Sequence, residues 1–409
     1  MRIAPAKALL ALAVLLAAGT ISLSCTLSPA KMEVPVNDTN RYVGTWAASQ
    51  YLVEPHNMPP KSLANSTLRL VIKVSLGGQT IRLRFSNRVG NGPLEIKGAS
   101  LAKHDIISYI HADSLLRLSF GGKSTVTIPP GGEVYCDPVD YPLAALESLA
   151  VSIHFGAVPS ALTGHPGSRT SSYILPGDHL EKEGMQYSDM AERWYVLAGL
   201  DIVDNEGNKK AVVCLGDSIT DGRGTTTDAQ NRWTDGLARR LAENPATSRL
   251  SVLNQGIGGT TVTGSGRERF ERDVLEQPGL GYLVILYGVN DILYAGQSPQ
   301  SVIAQYKDMI ARAKAQGIAA YGGTILPFEG FDRYNEGTEA ARQAINAWIR
   351  DTGATDGGFD AVIDFDAACR DPERPTRLLP ACNSGDGLHP SPVGYRTMAE
   401  AVELALFAK

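Results

Sequence analysis

Histidine is nearly missing from the second half of this 409-residue chain: of seven, only His389 follows position 200. The other six, His56, His104, His111, His154, His165 and His179, lack tight metal-ligand spacing, so neither a metal nor a cofactor is expected. Runs of lysine and arginine are missing too, and the formal net charge is −5. Both points argue against a nucleic-acid or anionic-membrane partner. The apolar run Leu9–Ala18 is too short for a comfortable membrane span. No extended apolar lid segment is visible, which disfavours long-chain lipid substrates. What is present is the ordinary material of a globular chain, 43% hydrophobic and 20% charged, and its length suggests two domains.

Residues 1–25 read as an export signal, with Arg2 and Lys7 ahead of the apolar run. Its end is open to two readings. Ser22-Leu-Ser-Cys25 is like a bacterial lipoprotein cleavage site, which would put a lipid on Cys25; the other reading is plain secretion. A periplasmic, cell-surface or secreted protein is expected either way. Residues 26–40 read as a tether.

Residues 41–200 predict an all-β sandwich of jelly-roll type. Leu68, Leu70, Ile72 and Val74 alternate with Arg69, Val71 and Lys73, and Ile81, Leu83 and Phe85 alternate with Arg82 and Arg84. A period of two marks strands with one buried and one wet face. Gly77-Gly78 between the runs suits a hairpin. Tyr42, Trp46, Tyr51, Tyr173, Trp194 and Tyr195 could stack on sugar, although aromatic residues more commonly serve the core.

The charged segment Asp201–Lys210 is a natural boundary, and from 207 to 409 the pattern changes. Apolar runs at Ala211–Leu215, Leu250–Leu253, Tyr282–Tyr287, Ile318–Tyr321 and Ala361–Ile363 alternate with helical stretches. Those stretches lie near Asn231–Glu243, Arg267–Glu276, Pro299–Gln316, Glu339–Arg350 and Pro392–Phe407. The alternation predicts a parallel sheet covered by helices on both faces, a three-layer α/β domain of flavodoxin-like form.

Ser218 follows the first of these runs, at the carboxyl end of a strand, where open α/β sheets place their ligands. A serine nucleophile needs a base, and His389 is the sole imidazole this half can supply. Asp386, three residues earlier, can orient the ring. Asp291 is a second candidate for that carboxylate; Asp217 reads as structural. Cys136, Cys214, Cys369 and Cys382 allow three pairings. Cys214 reads as a buried thiol, and a Cys369–Cys382 disulfide would tether the loop before Asp386.

Gly216-Asp217-Ser218-Ile219, Asn254-Gln-Gly-Ile-Gly-Gly259, Gly288-Val-Asn290-Asp291 and Asp386-Gly-Leu-His389 together resemble the four blocks of the SGNH (GDSL) hydrolases. The resemblance is strong over residues 205–409. It implies a serine esterase working through Ser218, His389 and Asp386 and an acyl-enzyme. It also implies an oxyanion hole formed by the Ser218 and Gly259 amides and the Asn290 side chain. Two-domain members with an N-terminal β domain are similar to acetyl xylan and other carbohydrate esterases. That points to short acyl esters, with acetylated polysaccharide as the partner. A lipase or arylesterase on small lipidic esters is the alternative within the class. A carbohydrate-binding surface protein that has lost activity is the alternative outside it.

Overall fold

The computed structural model describes residues 42–351 and 357–408. The export signal, the tether and Cys25 lie outside the described residues. Among those residues no helix is long and apolar enough to cross a membrane.

The chain begins with antiparallel sheets and ends with a parallel one. Residues 42–203 form one sheet of five strands, one of seven and a smaller one of three. Strand Ser66–Lys73 lies in the seven-stranded sheet and Gly78–Ser86 in the five-stranded one, so Gly77-Gly78 crosses between layers. The expected hairpin is therefore absent. Leu68, Leu70 and Ile72 on one sheet and Ile81, Leu83 and Phe85 on the other are buried in a common core.

Strand Ser66–Lys73 also departs from the half-wet reading. It is covered on both faces, and Arg69 is wholly buried. The Arg69 guanidinium donates to Ser152 Oγ at 2.9 Å, to the Ser108 carbonyl at 2.6 Å and to the carbonyls of Lys182 and Glu183 at 2.6 and 3.0 Å. A buried cation is tolerated when its donors are met in this way. Of the six aromatic residues offered above as a sugar platform, Trp46, Tyr173, Trp194 and Tyr195 are buried in the interior, and Tyr42 and Tyr51 are half-buried. Trp46 meets Trp194 edge to face at 5.0 Å.

The parallel sheet has five strands in the spatial order Leu250–Gly256, Lys210–Gly216, Leu280–Leu286, Ala319–Gly323, Ala361–Ile363. The Lys210–Gly216 strand is buried from Ala211 onward, as its unbroken apolar run requires between two helical layers. Helices Trp233–Glu243, Pro299–Lys314, Glu336–Arg350 and Pro392–Ala401 are the longest of the covering elements. Ser298 and Ser391 cap two of them, each with proline at the start.

A single apolar core runs through both regions. The outer strand Leu250–Gly256 faces the antiparallel region: Ser251 Oγ donates to the Gly44 carbonyl at 2.6 Å, and Val252 N–H donates to Ser75 Oγ at 2.9 Å. A Cβ on Gly44 would stand 2.9 Å from Leu253, so only glycine allows this approach without the leucine moving.

Candidate active site

Strand Lys210–Gly216 ends in a turn that only a few residue types can make. A Cβ on Gly216 would lie 2.1 Å from Thr220 Oγ1 and 2.7 Å from the Leu286 carbonyl. Asp217 then caps the short helix Ser218–Asp221, accepting from Ile219 N–H at 3.0 Å. Burial raises the Asp217 carboxyl to about 7. Gly222 closes the helix in a left-handed conformation, its N–H donating to the Ser218 carbonyl at 2.9 Å. Ser218 is thus held at the helix start with its own N–H unused by the helix.

His389 arrives from the far end of the chain. Ser218 Oγ lies 2.8 Å from His389 Nε2, across 171 residues of sequence. His389 Nδ1 lies 2.6 Å from Asp386 Oδ2, while Asp386 Oδ1 accepts the Leu388 and His389 amides at 2.9 and 2.8 Å. Burial alone would raise the Asp386 carboxyl, but these bonds outweigh it and hold it at about 2. Burial lowers the basicity of His389; Asp386 opposes that, and the charges of Arg223 and Arg169 add to it.

The loop carrying His389 is fixed by backbone contacts. Ser384 N–H donates to the His389 carbonyl at 3.0 Å, and Ser391 N–H to the Cys382 carbonyl at 2.8 Å. Gly387 sits left-handed against Gly330, where a Cβ would come within 2.6 Å of backbone. From the next helix, Tyr395 Oη donates to the Arg223 carbonyl at 2.7 Å, joining the histidine loop to the serine turn.

The expected Cys369–Cys382 disulfide is not formed. Cys136, Cys214, Cys369 and Cys382 are all buried thiols. Cys369 and Cys382 are hydrogen-bonded to each other, which together with burial pushes the Cys369 thiol up.

The loop carrying Gly259 meets the end of the serine strand, where Ile257 N–H donates to the Gly216 carbonyl at 3.1 Å. The Gly258 and Gly259 amides make no hydrogen bond within their loop, and Gly259 is left-handed with open space where a Cβ would be. A Cβ on Gly258 would lie 3.8 Å from Ser218 Cβ. Asn290 is buried and donates one amide hydrogen to the Thr260 carbonyl at 2.9 Å, leaving the other. Asp291, the second candidate carboxylate, accepts from Val262 N–H at 2.9 Å and from Thr263 N–H and Oγ1 at 3.0 and 2.7 Å. It orders that loop and does not meet His389.

Sequence reasoning did not single out His165 as the residue through which the antiparallel region meets the serine turn. His165 Nε2 lies 2.9 Å from Asp221 Oδ1, and its Nδ1 lies 2.9 Å from the Ser49 carbonyl. A Cβ on Gly167 would stand 2.0 Å from Asp221 Oδ2, so this loop packs directly on the serine turn. A histidine surrounded by Pro, Gly and Ser in a β segment carries no signal of such a role.

A serine, an imidazole and a carboxylate stand in hydrogen-bonded series at the carboxyl end of an inner parallel strand, the arrangement that serves nucleophilic attack by serine. Residues 214–397 match the model of the GDSL-like Lipase/Acylhydrolase family. Solved structures of similar form include a GDSL-like lipase from Bacteroides thetaiotaomicron, 23% identical, covering 48% of this chain and 88% of that one with a TM-score of 0.37. A member of the lipolytic protein G-D-S-L family from Veillonella parvula is 21% identical, covering 49% and 99% at a TM-score of 0.36. A catalytic mutant of an acetylxylan esterase from Geobacillus stearothermophilus is 22% identical, covering 47% and 91% at 0.37. No curated protein matches the chain.

Proposed function

We propose that the protein hydrolyses short acyl esters through an acyl-enzyme on Ser218, with acetylated polysaccharide as its natural substrate. The observation that carries this reading is the pair of contacts Ser218 Oγ–His389 Nε2 at 2.8 Å and His389 Nδ1–Asp386 Oδ2 at 2.6 Å. His389 takes the serine proton as Oγ attacks the ester carbonyl, then gives it to the departing alcohol. Water, activated by the same ring, repeats the sequence and releases the acid. Asp386 holds the tautomer that leaves Nε2 free to accept and stabilises the imidazolium. The Ser218 amide, the Gly259 amide and the Asn290 side chain are the donors for the developing oxyanion. The charges of Arg169 and Arg223 act on His389, and this favours a polar substrate over a long-chain lipid.

We place the protein outside the cytoplasm, anchored by lipid at Cys25 or released, on the strength of its first 25 residues. The test of function is hydrolysis of 4-nitrophenyl acetate by the wild type and by Ser218→Ala, followed by acetate release from acetylated xylan. Loss of on the order of 10⁴-fold or more in kcat is expected for the variant. Equal rates would remove Ser218 from its role, and a clear preference for longer acyl chains would move the substrate to lipidic esters.

A further inference from the structure

We infer that the antiparallel region supplies a specificity residue, Arg169, that selects esters carrying a carboxylate close to the scissile bond. The inference rests on the serine-hydrolase reading above and deepens it by naming the substrate's charge.

The loop His165–Ser171 reaches over the serine turn and is locked there from both sides. Asp228 N–H donates to the Arg169 carbonyl at 3.0 Å, and Asp228 in turn accepts from Ser171 N–H and Oγ at 2.6 and 2.7 Å. Gln230 Nε2 donates to Thr170 Oγ1 at 3.0 Å, and Arg232 donates to the Ser168 carbonyl. Within this frame Arg169 is left-handed, with φ of 50°. A non-glycine residue in that region is strained and persists only where its surroundings over-determine it.

The carbonyl of Arg169 is tied to Asp228, yet its side chain has no partner among the described residues. Among the described residues the Arg169 guanidinium makes no hydrogen bond or ion pair, and its Nε is buried without a partner. Two residues earlier Gly167 packs on Asp221 of the serine turn, and the charge of Arg169 acts on His389, Tyr51 and Tyr395. The neighbouring carboxylates are taken: Asp221 by His165 at 2.9 Å and Asp386 by His389 at 2.6 Å. Arg223 adds a second cation. Its N–H donates to the Ser218 carbonyl at 2.9 Å, its side chain is exposed, and it too lacks an ion pair among the described residues.

Two unpaired guanidinium groups beside the base burden catalysis, since each disfavours the imidazolium that must form. A substrate carboxylate removes that burden and gains a planar, charged donor fork held ready for it. A neutral ester leaves the burden in place. The carboxylate could belong to the acyl group or to the alcohol, as in an acetylated polysaccharide bearing uronate groups.

Two matched ester pairs separate these sources. Mono-4-nitrophenyl succinate against 4-nitrophenyl butyrate places the charge on the acyl side; 4-acetoxybenzoate against 4-acetoxybenzamide places it on the alcohol side. The wild type is expected to favour the carboxylate member of one pair by about 10- to 100-fold in kcat/KM, the value of a charge-assisted bond. Arg169→Gln should bring that ratio close to one and Arg169→Lys should restore part of it, whereas a merely structural role lowers both members together and leaves the ratio unchanged. The wild-type preference should also shrink as salt is added, a readout that needs no variant to fold. A wild-type ratio near one in both pairs, or a ratio that Arg169→Gln leaves intact, overturns the inference. Ser218→Ala assayed on the neutral members keeps the two readings apart: abolished turnover with a ratio near one sinks only the charge selection, and retained turnover sinks the hydrolase reading with it.

Discussion

His165 Nε2 and Asp221 Oδ1 lie 2.9 Å apart, with both side chains at least 95% buried, and they join the antiparallel region to the last residue of the helix that begins at Ser218. The two halves of the chain are not beads on a string. One half closes the turn on which the other half's nucleophile sits.

His165→Ala would leave a buried carboxylate without this partner, at a cost of about 1–3 kcal/mol. A lower midpoint in urea unfolding is expected, with ester hydrolysis falling as well because Asp221 terminates the serine helix. An unchanged midpoint would show that the pair holds nothing together.

Removing residues 42–203 is a harsher form of the same experiment. Leu253, Val252 and Ser251 on the outer parallel strand lie against Gly44 and Ser75, inside one continuous apolar core. The α/β region alone would expose that face to water. It is expected to be insoluble or to lack the near-ultraviolet circular dichroism of fixed side chains. A soluble, active fragment would refute this.

Asn290→Ala removes an amide with one hydrogen already bonded to the Thr260 carbonyl and the other available to the site. A fall of about 10²–10³-fold in kcat with little change in KM is expected for the loss of one oxyanion donor. A change confined to KM would assign Asn290 to ground-state binding instead.

The parallel sheet and the Ser218–His389–Asp386 series could be read in the sequence because each rests on local chemistry. Five apolar runs alternate with helical stretches, and the chemistry of a serine nucleophile demands the one imidazole available. The antiparallel region was legible only in class. The alternation at Leu68–Val74 predicted a wet face, but Arg69 brings enough donors to satisfy Ser152 and three carbonyls, so loops could cover it. Gly77-Gly78 looked like a hairpin because glycine marks a bend without saying whether it stays in one sheet. Arg169 was invisible. Its position depends on Asp228 and Gln230, about 60 residues away, and no periodicity encodes a left-handed arginine.

The thiols offer a direct check on the loop before Asp386. Cys136, Cys214, Cys369 and Cys382 are all buried, so none should react with a thiol reagent in the native protein, and all four should react once it is unfolded without reductant. A count of two after unfolding would mean that a disulfide has closed, with Cys369 and Cys382 the pair in contact.

The pH profile follows from the surroundings of His389. The imidazole must be neutral to accept the Ser218 proton, so activity is present above its pKa and lost as pH falls through it. Burial lowers that pKa from the ordinary 6.5, and Arg223 and Arg169 lower it further against the pull of Asp386. The acid limb of kcat/KM for a neutral ester is therefore expected to have its midpoint below 6.5. Removing a nearby positive charge makes the imidazolium easier to form, so Arg169→Gln should move the midpoint up. Asp386→Asn removes the anion that favours the imidazolium, so it should move the midpoint down and cut kcat by on the order of 10⁴-fold through loss of the correct tautomer. Shifts in the opposite directions would mean that neither group acts on His389.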